Sequence, residues 1–268
     1  MDNPIIALLT DFGEKDYFVS SLKGVIASIN PSAKIIDVTH QVPSFDVLAG
    51  SFVLFASYRF FPKETIFVAV VDPTVGSPRK ILLVETNKYF FIAPDNGILS
   101  LVLEEEDVVQ LREISNPKFF LQQTGVTFDG RDKMAPVSAW LSQGLSPEEF
   151  GPQARITKKK VLSSPHQTAD EIDGTVLYND KFGNLITNVP SSQLDPLVKK
   201  YGQEAVRLIA GENIIMYGDF YSAVPIGEPV FLFGSLGLIE IAVREGSAFN
   251  KLKVKPGDSI KITHLNNL

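Results

Sequence analysis

The chain contains 268 residues, of which 44% are hydrophobic, so it is long enough to build one large core or two smaller ones. A formal net charge of −6 argues against a nucleic-acid partner, because phosphate binding needs clustered basic side chains. The absence of cysteine excludes disulfide bonds and thiolate chemistry. We expect a cytoplasmic protein with no membrane partner, because no apolar run approaches the length of a membrane span and no basic leader precedes the first apolar run.

The first half of the chain alternates strand patterns with helix patterns. Strands are predicted at residues 5–10, 34–38, 66–71, 81–85 and 89–92, and helices at 17–29, 47–58, 99–103 and 133–143. This alternation predicts an α/β domain at residues 1–155, with a mostly parallel sheet flanked by helices. A polar segment that contains Lys158, Lys159 and Lys160 then predicts a solvated linker at residues 156–170.

Short apolar runs separated by glycine, asparagine and proline fill the second half. They lie at residues 174–178, 185–187, 206–209, 214–217, 229–232, 238–243 and 259–263. Such closely spaced strands predict an all-β domain at residues 171–268, either a small barrel or a sandwich. One helix is predicted within it, at residues 193–201.

The stretch that ends strand 66–71 carries the most informative charges. Asp72 follows the apolar run directly, and the turn residues Gly76 and Pro78 can bring Arg79 back to the same sheet edge. Ligands of open α/β sheets bind beyond the carboxyl ends of the strands. The two side chains therefore indicate either a reaction centre or an ion pair that only holds the loop.

Two more carboxylates follow strand 5–10. Asp11 ends the strand in a glycine turn, and a carboxylate there suits a ribose diol because it accepts two hydroxyl donors at once. Asp16 lies at the start of the next predicted helix, where it is either a site residue or an N-cap. Together with Asp37 and His40, these carboxylates could ligate Mg²⁺ or Mn²⁺; the alternative is a hydrogen-bonded, structural His40.

Two later motifs carry polar groups at the ends of predicted elements. Asp95 and Asn96 lie in a turn, where such residues are common, so their signal is weak. Asp129, Arg131 and Asp132 precede an apolar helix. Charges packed so densely beside an apolar helix indicate a functional edge rather than plain surface.

The order of these motifs resembles one family, the S-adenosyl-L-methionine (SAM) hydroxide adenosyltransferases, or SAM hydrolases, which are relatives of the fluorinases and chlorinases. The resemblance covers almost the whole chain. The matching motifs are Thr10-Asp11-Phe12-Gly13 with Asp16 and Lys23-Gly24, Asp37-Val38-Thr39-His40, Val71-Asp72-Pro73 with Val75-Gly76, Pro94-Asp95-Asn96-Gly97, Thr127-Phe128, Gly130-Arg131-Asp132, Ala135-Pro136, Asp180 with Phe182-Gly183-Asn184, Thr187-Asn188, and Ser235 with Glu240-Ile241-Ala242.

The resemblance implies a two-domain enzyme, an α/β domain followed by a β-barrel, that needs no cofactor and no metal. Subunits of this family form trimers, with active sites between the N-terminal domain of one subunit and the C-terminal domain of the next. Water or hydroxide displaces L-methionine from SAM at C5′ and gives adenosine. Carried over by position, the binding roles fall to Asp11 for the ribose hydroxyls, to Asp16, Asp180 and Ser235 for the methionine portion, and to Phe182, Phe220 and Asn184 for adenine.

The resemblance also assigns Asp72 and Arg79 to a triad that positions the attacking water. The halogenating relatives do not keep the Asp72 carboxylate, so its presence favours hydrolysis. A sulfonium leaves as a neutral thioether and needs no general acid, so the enzyme's task is to align and polarise the nucleophile.

Three positions depart from the family pattern. Asp129 replaces the histidine of Thr-Phe-His-Gly-Arg-Asp, Thr74 replaces a glycine, and Gly234 stands where asparagine commonly precedes Ser235. The triad of Asp72, Arg79 and an ionised Asp129 sums to minus one, whereas a neutral histidine would give zero. An anion about 5 Å from the sulfonium attracts the ground state by roughly 3 kcal/mol at an effective dielectric near 20, more than it attracts the transition state.

The sequence therefore predicts altered, slower turnover unless Asp129 acts as a base or shares a proton with Asp72. It also predicts that Asp129→His preserves or raises SAM cleavage. Two other functions stay open: a metal-dependent nucleotide phosphatase that uses Asp11, Asp16, Asp37 and His40, and a non-catalytic protein that binds SAM or adenosine.

Overall fold

A computed structural model of the chain describes residues 4–122, 125, 127–156 and 164–267. The chain forms two compact units, Met1–Val161 and Leu162–Leu268. Lys158, Lys159 and Lys160 lie outside the described residues, and the linker and domain boundaries given above stay predictions. Within the described part of the chain, no helix has the length and apolarity needed to cross a membrane.

The first unit is built on a six-stranded, mostly parallel sheet, as predicted. Its strand order is β2-β1-β3-β5-β4-β6, and β4 runs antiparallel to both of its neighbours. The strands are β1 (Ile5–Thr10), β2 (Lys34–Thr39), β3 (Ile66–Val70), β4 (Ile81–Thr86), β5 (Phe90–Pro94) and β6 (Val108–Glu113).

Helices cover the sheet of the first unit. They are α1 (Phe18–Ile29), α2 (Val47–Ser57) and α3 (Ala135–Ser142). A π-helical turn, Gly130–Met134, leads directly into α3. Such turns widen the helix locally and re-aim side chains, and they are frequent at functional sites.

Strand β3 has an uninterrupted apolar sequence because both of its faces are packed against other side chains. Ile66, Val68 and Val70 belong to the core that side chains of α1 and α3 complete. On the other face, Phe67 stacks on Phe91 with ring centroids 5.2 Å apart. Because both faces are covered, the strand is buried along its whole length.

The structure corrects the sequence prediction at two places in this unit. The helix predicted at residues 99–103 is wrong: a turn leads there into one 3₁₀ turn, Val102–Glu104, because the segment is too short to propagate an α-helix. Strand β6 was not predicted. Its first residues, Val108 and Val109, are exposed at the sheet edge, so the strand lacks the buried pattern that marks β3.

The second unit is a closed barrel, which decides between the barrel and the sandwich. Seven strands follow the order β14-β10-β11-β12-β13-β9-β8, pairing of β14 with β8 closes the ring, and the short β7 pairs with β8 outside it. The elements are β7 (His166–Gln167), β8 (Ile172–Asn179), β9 (Leu185–Pro190), α4 (Ser191–Tyr201), β10 (Val206–Ala210), β11 (Asn213–Tyr217), β12 (Pro229–Phe233), β13 (Leu238–Val243), α5 (Ala248–Leu252) and β14 (Ser259–His264).

Alternation along β13 separates the inside of this barrel from its outer face. Ile239, Ile241 and Val243 belong to the barrel core. Ala242 belongs to a separate small cluster, and Glu240 is buried with a tyrosine partner described below. The two faces follow from the period of two in a β-strand.

Candidate functional site

Strands β1 and β3 are parallel neighbours, and this register brings the ends of two predicted motifs together. Thr10 is paired with Val70, so Asp11 and Asp72 both follow the carboxyl ends of adjacent strands. Both carboxylates line a cavity of about 260 Å³ in the first unit. The lining residues are Asp11, Phe12, Phe18, Ser44, Phe45, Val70, Asp72, Val75, Thr127, Phe128, Asp129 and Gly130.

Arg79 joins two buried carboxylates at one side of this cavity. Its Nε donates to Asp72 Oδ2 at 2.6 Å, and its Nη2 donates to Asp129 Oδ2 at 2.7 Å. Arg79 Nη2 also contacts Asp72 Oδ2. The Asp72 and Asp129 side chains are only 5% and 3% exposed. The guanidinium fork therefore fixes the spacing of the two acids in a place where water screens little.

The second oxygen of each acid has its own donor. Asp72 Oδ1 accepts hydrogen bonds from the Thr74 backbone N–H at 3.2 Å and from the Thr74 hydroxyl at 3.1 Å. Lys133 Nζ lies 2.8 Å from Asp129 Oδ1. Thr74, a departure from the family pattern, thus orients Asp72 directly.

Lys133 is a site residue that the sequence analysis missed. Its spacing of four residues from Asp129, at the start of a predicted helix, was the available signal. It also corrects the charge count: Asp72, Asp129, Arg79 and Lys133 sum to zero, not to minus one. We call these four residues the charge cluster.

Arg79 stays cationic in this environment. Burial opposes its charged form, but the hydrogen bonds to Asp72 and then Asp129, with their charges, outweigh burial and raise the pKa of Arg79 above its ordinary value. A permanent cation between two acids can hold one lone pair of a water molecule while Asp72 accepts a hydrogen bond from it.

Asp11 and Asp16 have different surroundings. Asp11 lines the cavity and its Oδ2 accepts a hydrogen bond from the Phe45 backbone N–H at 2.9 Å. Asp16 is exposed and does not line the cavity. The N-cap position of α1 belongs to Tyr17, so the N-cap interpretation of Asp16 is wrong.

Asp37 and His40 are engaged with each other and with structural partners. His40 is buried, with Nδ1 2.9 Å from Thr10 Oγ1 and Nε2 3.0 Å from Asp37 Oδ1, and Lys23 Nζ donates to Asp37 at 2.6 Å. Burial raises the pKa of Asp37, but the bonds from Lys23 and His40 leave it below its ordinary value. Among the residues that the structure describes, no group of three or more histidine, aspartate and glutamate side chains is arranged to hold a metal ion.

The remaining charges of the 129–132 motif face each other. Arg131 donates from Nε and Nη2 to Asp132 Oδ1 and Oδ2 at 2.6 and 2.9 Å, and its guanidinium lies 4.8 Å from the centre of the Phe128 ring. Of the motif's charges, Asp129 is the one that lines the cavity.

In the second unit, Asp180 shapes a tight loop between β8 and β9. Its Oδ1 accepts the backbone N–H groups of Phe182 and Asn184 at 2.8 Å each, and its Oδ2 accepts the Asn184 amide at 3.0 Å. Gly183 adopts φ +85°, a conformation that favours glycine. Asp180 therefore positions Phe182 and Asn184, a structural task that its carried-over role did not include.

An open groove of about 800 Å³ lies beside this loop. Its lining residues include Phe182, Asn184, Phe220 and Tyr221, and the residues Phe182 and Phe220 are 75% and 58% exposed. We call it the aromatic groove. Exposed rings beside an amide form a suitable binding surface for a planar heterocycle.

Ser235 does not line the aromatic groove. It is exposed in the turn between β12 and β13. Nearby, Tyr221 donates to the buried Glu240 at 2.7 Å, and burial with that bond raises the pKa of Tyr221 to about 12. A Cβ at Gly234 would lie 2.9 Å from Glu240 Oε2, so glycine at this departure leaves room for the carboxylate.

Comparison with known proteins decides the family. The model of the SAM hydroxide adenosyltransferase N-terminal domain matches residues 6–151, and that of the C-terminal domain matches residues 174–261. The chain belongs to the SAM hydroxide adenosyltransferase family. This confirms the resemblance that the ordered motifs indicated.

The relatives of this chain include SAM hydrolases and fluorinases. An (R)-S-adenosyl-L-methionine hydrolase of Thermus thermophilus is 32% identical over 96% of this chain and 98% of its own length. A fluorinase of Actinoplanes sp. is 27% identical over 97% of the chain and 98% of its length. The crystal structure of an uncharacterized conserved protein from Thermotoga maritima superposes with a TM-score of 0.86, at 38% identity, over 97% of this chain and 100% of that one.

Proposed function

We propose that this protein hydrolyses SAM to adenosine and L-methionine by attack of water or hydroxide at C5′. One observation carries the proposal: Arg79 bridges the buried carboxylates of Asp72 and Asp129 beside a cavity that Asp11 also lines. The (R)-SAM hydrolases among the relatives support it. The Asp72 carboxylate favours water over halide as the nucleophile, since an anion repels halide.

The charge cluster would place the nucleophile. Asp72 would accept a hydrogen bond from the water, and Arg79 would donate to its oxygen, so that a lone pair points at C5′. As the C5′–O bond forms and the C5′–S bond breaks, methionine would leave as a neutral thioether, and the proton lost by the attacking water would pass to Asp72 and then to solvent. Catalysis by this site would therefore consist of aligning the water, hydrogen bonding to it and accepting its proton, without proton donation to the leaving group.

The other side chains would hold the substrate. We propose Asp11 for the ribose hydroxyls, Phe182 and Phe220 for the two faces of adenine, and Asn184 for an adenine edge. The methionine portion would be bound by Asp16, Asp180 and Ser235. Because the cavity of the first unit, about 260 Å³, falls below the roughly 300–1,000 Å³ of pockets for drug-sized ligands, further residues must complete the site.

We propose that a neighbouring subunit completes it, in a cytoplasmic homotrimer. The first unit of one subunit would supply the charge cluster, and the second unit of the next would supply the aromatic groove. Light scattering coupled to size-exclusion chromatography measures the subunit number directly. A monomer with full activity would contradict this assembly.

Isotope labelling tests the reaction itself. Purified protein is incubated with SAM in ¹⁸O-labelled water, with and without excess EDTA. The products are then separated, and their masses are measured by mass spectrometry. We expect adenosine with the label at its 5′-oxygen, formed equally in both samples. Full activity in excess EDTA would eliminate the metal-dependent phosphatase alternative, and SAM binding measured by calorimetry without adenosine formation would favour a binding protein.

The aromatic groove gives a prediction about affinity. Phe182→Ala and Phe220→Ala each remove one ring from the groove, and base–aromatic stacking contributes about 1–3 kcal/mol per base. We expect each substitution to weaken SAM binding roughly 5- to 150-fold, as measured by calorimetry. The control is Phe60→Ala, which removes the ring of another exposed phenylalanine (77%) that lies in the first unit and outside its cavity. Unchanged SAM affinity in both groove variants would show that adenine binds elsewhere.

A further inference from the structure

Asp129 is a buried carboxylate whose two oxygens are held by two different cations. Arg79 Nη2 donates to Oδ2 at 2.7 Å, and Lys133 Nζ lies 2.8 Å from Oδ1. The Asp129 side chain is 3% exposed, so solvent does little to stabilise its charge. The contacts with both cations have therefore to supply that stabilisation.

Arg79 by itself cannot neutralise Asp129, because it also binds Asp72. Its Nε is committed to Asp72 Oδ2 at 2.6 Å. With Lys133 left out, two acids share one guanidinium and the group carries a charge of minus one; Asp11, on the same cavity, adds a further negative charge. With Lys133 included, the charge cluster is neutral.

The local backbone allows this pairing. Lys133 lies in the π-helical turn Gly130–Met134, four residues after Asp129, and its ammonium is also 5.8 Å from the centre of the Phe120 ring. Arg131, the nearer cation in sequence, is turned to Asp132. The turn thus presents Lys133 to Asp129 and directs Arg131 to its own partner.

We propose that Asp129 and Lys133 form one functional pair that substitutes for a neutral residue beside Arg79, with Lys133 as a positioning residue for the attacking water. The inference rests on the proposed SAM hydrolysis and adds a residue to it. The paired charges keep Arg79 shared between Asp72 and Asp129, which holds Asp72 in place. Lys133 does not itself line the cavity and acts through Asp129 and Arg79.

This pairing changes the expectation for Asp129→His. That single substitution leaves Lys133 without its carboxylate, and the cluster then carries plus one beside a cationic substrate. The double substitution Asp129→His with Lys133→Met is neutral again. We therefore expect the double variant to have a higher kcat/KM for SAM than either single variant, so that Asp129→His alone does not show the retention or rise of activity expected from the sequence.

The experiment measures kcat, KM for SAM and the pH profile for the wild type, Lys133→Met, Asp129→His and the double variant. Methionine keeps the length and apolar stem of the lysine. We expect Lys133→Met to lower kcat about 10- to 100-fold with a smaller change in KM, because misplaced catalytic groups cost rates of this size. We expect the acidic limb of the pH profile of Lys133→Met to move to higher pH, because two acids that share one cation take up a proton more readily. The double variant recovers most of the lost kcat.

Two outcomes overturn the inference. One is a Lys133→Met variant with wild-type kcat and an unchanged pH profile, and the other is a double variant whose kcat/KM is no higher than that of either single variant. Lys261→Met is the matched control, because Lys261 lies 2.7 Å from Glu171 but with side chains 40% and 31% exposed, and we expect it to retain wild-type kinetics.

A second measurement separates this inference from the proposed function. If the wild type forms no adenosine, the proposed function fails, and thermal unfolding tests the pair by itself. The destabilisation caused by Lys133→Met is then expected to be larger at pH 8 than at pH 5, where a proton can replace the lost cation. Equal destabilisation at both pH values overturns the pairing.

Discussion

Arg79→Met is expected to lower kcat for SAM cleavage by at least about 10²–10³-fold, the loss seen when one preorganised donor is removed from an active site. Arg79 is the one donor shared by Asp72 and Asp129 in the described structure, with contacts of 2.6 and 2.7 Å. Without it, the water that we propose for Asp72 would lose its second anchor. Adenosine formation, followed by chromatography under saturating SAM, measures the loss.

The same substitution is expected to destabilise the fold in a pH-dependent way. It leaves two acids, 5% and 3% exposed, with Lys133 as their one cation, and breaking a buried ion pair costs about 3–5 kcal/mol. The native state of the variant binds protons more tightly than its unfolded state, so the destabilisation is full at neutral pH and shrinks as the pH falls. Urea unfolding at pH 8 and at pH 5 measures this difference.

Two further substitutions keep the prediction testable if Arg79→Met fails to fold. Arg79→Lys retains the charge but not the fork, so we expect a folded protein with low kcat. Arg59→Met removes an ion pair of the same length, 2.7 Å to Glu105, but with side chains 40% and 48% exposed, and should change the free energy of unfolding by less than about 1 kcal/mol. Arg79→Lys with wild-type kcat would disprove the need for two-point anchoring.

Gly183→Ala is expected to have the largest effect in the second unit. Gly183 has φ +85°, and an added Cβ would lie 2.1 Å from Ser247 Oγ and 2.6 Å from Ser247 Cβ. Ser247 cannot withdraw freely, because its hydroxyl accepts the Asn250 backbone N–H as the N-cap of α5. We expect a loss of about 2–4 kcal/mol, of which about 1 comes from the backbone conformation and the rest from overpacking.

The loop containing Gly183 also positions Phe182 and Asn184, so SAM binding should fall by more than it does in Phe182→Ala. Gly227→Ala is the control: its φ of +80° is nearly the same, but an added Cβ has no neighbour within 4 Å. We expect it to cost only about 1 kcal/mol and to leave SAM affinity unchanged. Equal losses in unfolding free energy for the two alanine variants would show that the Ser247 contact is not the cause.

Much of the fold followed from local patterns. The buried runs of β1 and β3 predicted a parallel sheet, and their ends placed Asp11 and Asp72 at one edge. Where burial was weak, as at the exposed Val108 and Val109 of the edge strand β6, the apolar pattern disappeared and the strand was missed. The methionine-binding role carried over to Ser235 stays a prediction, since the structure shows this residue only as exposed in the turn between β12 and β13.

The sequence by itself determined the family, the parallel sheet and the identity of the Asp72–Arg79 pair, because apolar periodicity and ordered motifs are local properties of the chain. Only the tertiary structure decided which donor each carboxylate oxygen has, that Lys133 neutralises Asp129, and that Ser247 packs against Gly183. These contacts depend on the path of the π-helical turn and of the Asp180 loop. The charge of a buried site is a sum over neighbours in space, and neighbours in space are not fixed by spacing along the chain.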